Sequence, residues 1–485
     1  MKNFKGVKWG IGFILALVAF ISLQGPETFA STATLVQLSS DPFTNITGQH
    51  QTEVEPDTFA FGSTIVSAFQ VGRFFDGGSS DIGWATSLDE GKTWKHDFLP
   101  GITKIVNPAN PFDRVSDASV AYDAKHKVWL ISSLAVTGKT GATVIVNRST
   151  DGGLTWGDPI VVHQGTGTDF LDKDWIVCDN TATSPFYGHC YIEWDNTGRH
   201  NLFQMSTSSD GALTWSTPNT SPDHASVLGG QPLVQPNGTV IVPIQASTNN
   251  ATELGDFISA DGGITWSNTI TIASLSVFAE PAQIRSGAGI PSAEIDGSGN
   301  VYVVWQDCRF EPNCTANDLV MSTSTNGITW SPVQRIPTDP MGSGIDHIIP
   351  GLAVDSSTSG TQAHLGLAYY FLPNAKCSTN TCQLMVGFIS STDGGRSWSP
   401  ASTLTSPMML TWFAQTNQGY MAGDYISTSI APGSDNAVPV FAVAHAPTAT
   451  QLDETMNTAL VSVNSGSAAD TVRASSPDIQ SGKRG

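Results

Sequence analysis

The chain has 485 residues, of which 13% are charged, and its 42 Asp and Glu against 22 Lys and Arg leave a net charge of −20. That balance excludes a nucleic-acid partner, because phosphate binding needs a basic surface. The place of charge is taken by small and turn-forming residues, including 47 Gly and 27 Pro, a composition suited to many short strands joined by turns.

At the N-terminus, Lys2, Lys5 and Lys8 precede an uncharged apolar run from Gly10 to Leu23, and Thr28-Phe29-Ala30 offers small residues at a cleavage site before Ser31. This order reads as a secretory signal peptide over residues 1–30. The run is shorter than the ~20 residues a membrane-spanning helix needs, so a secreted, soluble protein with no membrane contact after cleavage is expected.

A pattern then recurs along the chain. It reads SLDEGKTW at 87–94, STDGGLTW at 149–156, SSDGALTW at 208–215, SADGGITW at 259–266, STNGITW at 324–330 and STDGGRSW at 391–398. Such self-similarity at intervals of roughly 50–70 residues means repeated supersecondary units. Within the motif, Asp accepts backbone N–H groups, Gly takes a positive φ, Ser or Thr closes the turn, and Trp packs between units. Nothing in it is catalytic. Strands flank each copy; Val128–Leu134, Cys190–Trp194, Val240–Gln245, Val301–Trp305 and His364–Tyr370 are the clearest. The first unit reads as Thr58–Phe61, Thr64–Phe69, Ile82–Thr86 and Lys95–Leu99. After the last copy, Asp424–Ile430, Val438–Ala444 and Asn457–Val463 give three strands without a fourth.

The six cysteines fall into sequence-local pairs, and nearest-neighbour pairing is the simplest of fifteen connectivities: Cys178–Cys190, Cys308–Cys314 and Cys377–Cys382. None has the CxxC spacing of a zinc site. Residues 465–485 are polar and aperiodic and read as a disordered tail.

The repeated motif resembles the Asp box, or BNR repeat, of sialidases and their relatives. Segments such as DKDWIVCDN and GYMAGDYIS resemble those of exported bacterial Asp-box proteins. The resemblance implies an all-β fold, a single β-propeller over residues 31–464. Seven four-stranded blades are expected, with six as the alternative. Residues 34–43 resemble the fourth-strand segment 332–340, so the N-terminal strand is expected to complete the last blade and remove an open edge.

In such a propeller, first-strand starts and second-strand ends share one face. They carry acids and a few arginines: Glu55-Pro56-Asp57, Asp113-Arg114 with Asp117, Asp172-Lys173-Asp174-Trp175, Glu280-Pro281, and Gly423-Asp424-Tyr425. A shared Q-x-x-R-F holds Arg73 and Arg309. The resemblance to sialidases implies Asp76 or Asp81 near the general-acid position and Asp117 as a pocket acid; Glu280 and Tyr425, from their place on the shared face, complete the catalytic candidates. Arg73 ends a segment that resembles the family's, and Arg73, Arg114, Asp174, Trp175, Arg285, Arg309 and Asp424 are the expected substrate contacts, the arginines as a cluster different from the family's. Some first-strand acids instead have the bland role of tying neighbouring blades together. The base position of the family holds Gln231 or Gln245, and a neutral amide cannot serve as a base.

The expected function is an exo-acting, sialidase-like glycoside hydrolase, a monomer acting on a glycan or glycoconjugate at the channel mouth. No cofactor is required, although an acidic mouth of hard oxygen ligands would suit Ca²⁺. A glycan- or protein-binding propeller without catalysis is the second reading. The third is a polysaccharide lyase using His347 or Tyr425 as base.

Overall fold

A computed structural model describes residues 33–138, 142–248, 251–287 and 289–463. The expected signal peptide (1–30) and tail (465–485) lie outside the described residues. Every longer regular element is a β-strand, and the helical elements among the described residues are single 3₁₀ turns.

The strands fall into antiparallel groups of consecutive segments. The first group runs Glu53–Phe61, Thr64–Arg73, Ser79–Ser87 and Lys95–Phe98. The leading strands of the next groups are Arg114–Asp123, Leu171–Cys178, Leu233–Val234, Ser292–Ile295, Asp346–Val354 and Ser427–Ile430. Ladder hydrogen bonds also join the first group to the second through Ser79 and Val115. The strand missing from the last group comes from the other end of the chain: Val36–Gln37 pairs antiparallel with Thr458 and Asn457. The first strand is longer than its apolar half implied. It begins at Glu53 rather than Thr58, because the polar stretch before Thr58 continues the ladder through a bulge.

The motif that repeats is a hydrogen-bonded turn between the third and fourth strands. In the second copy, Asp151 accepts the N–H groups of Leu154 and Thr155 and the hydroxyls of Ser149 and Thr155, at 2.6–3.1 Å. Burial opposes ionisation of Asp151, but these bonds prevail and hold its carboxyl down to about 2. The short fifth copy keeps the turn with Asn326, which accepts from Ile328 and Thr329 at 2.9 Å.

Each motif Trp packs where its own group meets the preceding one. Trp156 lies on a core shared by Ile82 of the first group and Ile131 of the second. Trp215, Trp266, Trp330 and Trp398 do the same in turn along the chain. Another core joins Tyr370 and Phe441 of the last two groups. Trp94 packs on a core made of Leu38, Val440 and Met456 from the chain's two ends and Phe69 of the first group. Burial is thus concentrated between groups, where side chains from facing sheets interdigitate.

Leading strands are also tied sideways by polar side chains. Asp57 accepts the Val120 N–H at 2.7 Å and the Ser119 hydroxyl at 3.0 Å. Ser119 accepts from Ile176, Gln231 from Ala293, and Ser292 from Leu352. These bonds satisfy backbone groups that the ladders leave open.

Candidate active site

Four leading strands carry the same irregularity. The ladder slips between Val54 and Asp57, between Ser116 and Ser119, between Asp172 and Trp175, and between Ile348 and Pro350. At each slip one non-glycine residue takes a left-handed φ: Glu55 (55°), Asp117 (44°), Lys173 (52°) and Ile349 (52°). Left-handed backbone costs such residues roughly 1 kcal/mol or more, and a bulge is the usual device for re-aiming a side chain. Three of the four re-aimed residues are charged, and they gather at one end of the molecule.

That end holds a cavity of about 670 Å³ whose wall includes Asp117, Asp172, Lys173, Arg73, Arg114 and Arg285. Asp76, Glu280 and Asp424 also reach it. Beyond it, Trp175 lines a narrower space of about 50 Å³, and at the opposite ends of the leading strands lies a second cavity of about 510 Å³ lined mainly by apolar groups.

The carboxyls of the first cavity are tuned by their surroundings. Asp117 accepts the Lys173 N–H at 3.2 Å. Burial and the neighbouring Asp172 push its carboxyl up to about 6, against the pull of Lys173 and Arg73. Glu55, just behind, accepts from the Asp424 N–H at 3.2 Å and from the Gln70 amide. Burial, Asp424 and Asp117 raise it to about 7. Burial works against Asp424 as well, but Arg285 outweighs it and holds this carboxyl below its usual range. Two neighbouring carboxyls that titrate near neutrality are the raw material of acid–base chemistry.

A second layer of acids lies deeper. Asp174, Glu193 and Asp195 are buried, and no oxygen of these three carboxyls closes a normal hydrogen bond. Burial raises all three well above the usual carboxylate range. Glu193 is accommodated by Gly230, where a Cβ would meet Oε2 of Glu193 at 2.7 Å. Lys173 is the cation felt by Asp117, Asp172, Asp174, Glu193 and Asp424 alike.

Arg73, Arg114 and Arg285 converge on the cavity, together with Asp76, Asp117, Glu280 and Asp424. The remaining candidates fall elsewhere. Arg309, despite the motif it shares with Arg73, folds onto Asp307 two residues away, with Nε to Oδ1 at 2.8 Å. The motif's Gln is what the two groups have in common: Gln306 donates to Glu280 as Gln70 donates to Glu55. Asp81 is buried without a partner. Tyr425 is 3% exposed, and burial with nearby Glu55 raises its hydroxyl well above 10. His347 is packed against Tyr369 and Phe371, held on the Asn317 carbonyl, and pushed down to about 4 by burial; it does not line the cavity. Sequence reading passed over Glu55, Asp172 and Lys173 as individual site residues. Their signal was a charged residue near the start of a leading strand, visible only once the bulges are known.

Among the described residues, the acids and histidine close enough to share a metal ion are Asp318, Asp339 and His347. The guanidinium of Arg335 already sits between the two aspartates, 2.6 Å from Asp318 and 2.5 Å from Asp339. All three cysteine pairs are bonded as nearest neighbours. No helix of the described residues is long and apolar enough to cross a membrane.

An all-β chain whose hairpin turns carry six Asp boxes, packed group against group through the box Trp, is an Asp-box repeat protein. Residues 189–405, somewhat under half of the chain, match the model of the BNR repeat-like domain. No curated protein matches it. Among solved structures it is similar to a Hadza microbial sialidase, at 14% identity over 85% of this chain and 66% of that one, with a TM-score of 0.44. It is also similar to the intramolecular trans-sialidase from Ruminococcus gnavus in complex with oseltamivir carboxylate, at 13% identity, 90% and 98% coverage and a TM-score of 0.42. A third likeness is to the Penicillium chrysogenum alpha-L-arabinanase complexed with arabinobiose, at 12% identity, 72% and 93% coverage and a TM-score of 0.42.

Proposed function

We propose that the chain is an exported, exo-acting glycoside hydrolase of sialidase-like type, working in the 670 Å³ cavity. In this reading the strand groups are seven blades of a closed propeller. The cores between successive groups support that count, as does the core where the two chain ends meet the first group. Three disulfides fit an oxidising, extracellular setting.

One observation carries the catalytic reading. Asp117 stands in the cavity wall on a left-handed bulge, hydrogen-bonded to Lys173 N–H and pushed up to about 6. A carboxyl so placed holds its proton in mildly acidic solution and can deliver it to a departing glycosidic oxygen. Glu55, behind it, competes for the same proton and keeps the pair from ionising together. A cavity, rather than an open groove, suits removal of a terminal sugar. Proton transfer between carboxyls needs no metal, and the ammonium of Lys173 supplies a positive charge where the acids converge.

The test is turnover of a panel of sialyl, uronyl and neutral aryl-glycosides by the purified protein. Turnover that Asp117→Asn abolishes is the expected result; no turnover of any member would sink the hydrolase reading. A second reading, glycan binding without catalysis, is favoured by the ion pairs that already engage Arg114 and Arg285. It predicts binding of the same sugars with no release of the aryl group.

A further inference from the structure

The three cavity arginines are the groups that would be expected to seize an acidic sugar, yet two of them, Arg114 and Arg285, are already paired with acids. Arg285 gives both arms to Asp424. Arg114 donates to Asp76 at 2.9 Å and to the Gly77 carbonyl at 2.7 Å. Arg73 donates through Nη1 to Gln70 at 2.7 Å, and its Nε is buried without a partner among the described residues. To reach Arg114 or Arg285 a carboxylate ligand would have to displace Asp76 or Asp424, in a wall where acids already outnumber bases.

Lys173 is held by aromatic rings instead. The residue lines the cavity and is only 5% exposed. Its Nζ stands 3.4 Å from the centroid of the Tyr425 ring and 5.8 Å from that of Trp175. Such a π face stabilises an ammonium without consuming its N–H donors. Among the described residues no acceptor takes those donors. On either side, Asp117 and Asp172 each accept one bond from the Lys173 backbone N–H, at 3.2 Å. Each keeps acceptor capacity on the wall of the cavity.

A cationic donor flanked by two carboxyl acceptors matches a pair of sugar hydroxyls, which donate and accept at once. It does not match a carboxylate, which only accepts and would face Asp117 and Asp172 at close range. We infer that this cavity takes an uncharged sugar, with Lys173 donating to its hydroxyl oxygens and with Asp172 and the unprotonated oxygen of Asp117 accepting hydrogen bonds from its hydroxyls. The inference rests on the glycoside hydrolase reading for its chemistry, and makes Lys173 the residue that selects the substrate.

The experiment compares neutral aryl-pentosides and aryl-hexosides with sialosides and uronides, for the wild type, Lys173→Met and Lys173→Arg, together with direct calorimetric binding of the corresponding free sugars. The expected result is turnover of a neutral glycoside only. Loss of a charged hydrogen bond should raise KM about tenfold or more in Lys173→Met, with kcat little changed and partial recovery in Lys173→Arg. Thermal unfolding of each variant checks that the fold is kept. Preferred turnover of a sialoside or uronide would overturn the substrate class while leaving the hydrolase reading intact. Neutral-sugar binding without turnover, weakened in Lys173→Met, would sustain the substrate class while the hydrolase reading fails. Binding of acidic sugars alone, or of none, would overturn it.

Discussion

Arg285 and Asp424 form a two-armed ion pair at the cavity wall, Nε to Oδ1 at 2.8 Å, with the second arm from Nη2 to Oδ2. The two residues lie in different parts of the chain, and the short strand Ile284–Arg285 runs parallel to Gly419–Met421 just before Asp424. The pair therefore fastens the connection between groups as well as lining the site. Both side chains are mostly buried, at 15% and 11% exposure. Removing one partner strands the other, so Asp424→Ala should cost about 2–4 kcal/mol in denaturant unfolding. The double variant Arg285→Met/Asp424→Leu should recover part of that loss. Additive losses would show that the pair is not coupled.

Stability should fall from mildly acidic to alkaline pH. Burial raises Glu53, Asp256 and Glu294 to about 8, Asp346 to about 7 and Asp57 to about 6. A carboxyl whose folded value is raised favours the folded state below its unfolded value of ~4, and that contribution is lost as pH climbs through the folded value. The window of loss therefore runs from about pH 4 to 8. The box aspartates act oppositely: Asp89 and Asp151 are held to about 2 by hydrogen bonds that outweigh the opposing effect of burial, so their contribution disappears as pH falls from about 4 to 2. Tm measured from pH 3 to 9 should peak near pH 4, and Glu294→Gln should flatten the fall above it. A Tm that rises steadily to pH 8 would contradict this account.

The rate should follow the protonation of Asp117. With Asp117 raised to about 6 and Glu55 to about 7, the pair titrates in two coupled steps. A general acid works only while protonated, so kcat/KM should decline as pH rises above about 6. Asp117→Asn should lower kcat by roughly 10²–10⁴ and abolish that limb of the profile. Asp76→Asn, which removes an exposed partner of Arg114, should leave kcat nearly unchanged.

Reduction should act mainly through Cys178–Cys190. This bond joins the leading and second strands of the third group across 12 residues, against 6 and 5 for the other two. Loop-closure entropy gives about 3 kcal/mol for a loop of that size and somewhat less for the smaller ones. Cys178→Ala/Cys190→Ala should therefore lower unfolding stability more than either other pair removed in the same way.

The second Gly of the box should resist change wherever it faces a neighbouring group. Gly153 has a φ of +80°, and a Cβ there would meet Val66 at 2.8 Å and Thr86 at 2.9 Å. Gly153→Ala should cost about 1–3 kcal/mol with no effect on KM. The third box tolerates Ala212 at a φ of 64° because its methyl is buried in the core between the second and third groups.

The repeat was legible because each box must solve the same local problem. A turn that accepts two N–H groups and two hydroxyls needs Asp, Ser, Thr and Gly at fixed offsets, so the scaffold is written in contiguous residues. The pairing of Val36–Gln37 with the last group was legible for a related reason, since residues 34–43 repeat a fourth-strand pattern. The cavity was only half legible. Arg73, Arg114 and Arg285 could be named from where they fall on the strands. Arg309 could not be told from Arg73, because the Asp307 that turns it aside sits inside the same motif. Glu55 and Lys173 were obscured by the bulges. A strand read with period two puts side chains on alternate faces, and one inserted residue reverses that assignment for the part beyond it.

The tie between the two ends of the chain also sets a schedule. Glu53 accepts the N–H of Met456 across 403 residues, and Val36–Gln37 lies against Thr458 and Asn457. The early segment can find its partner only after nearly everything else has been made. Until then the last sheet waits with a bare edge, and the first strands wait without the neighbour that covers Phe69. Folding of this protein is thereby tied to completion of the chain. A fragment that ends before residue 454 would present its unpaired edge to other chains, so truncated or stalled products should be the form most prone to aggregate.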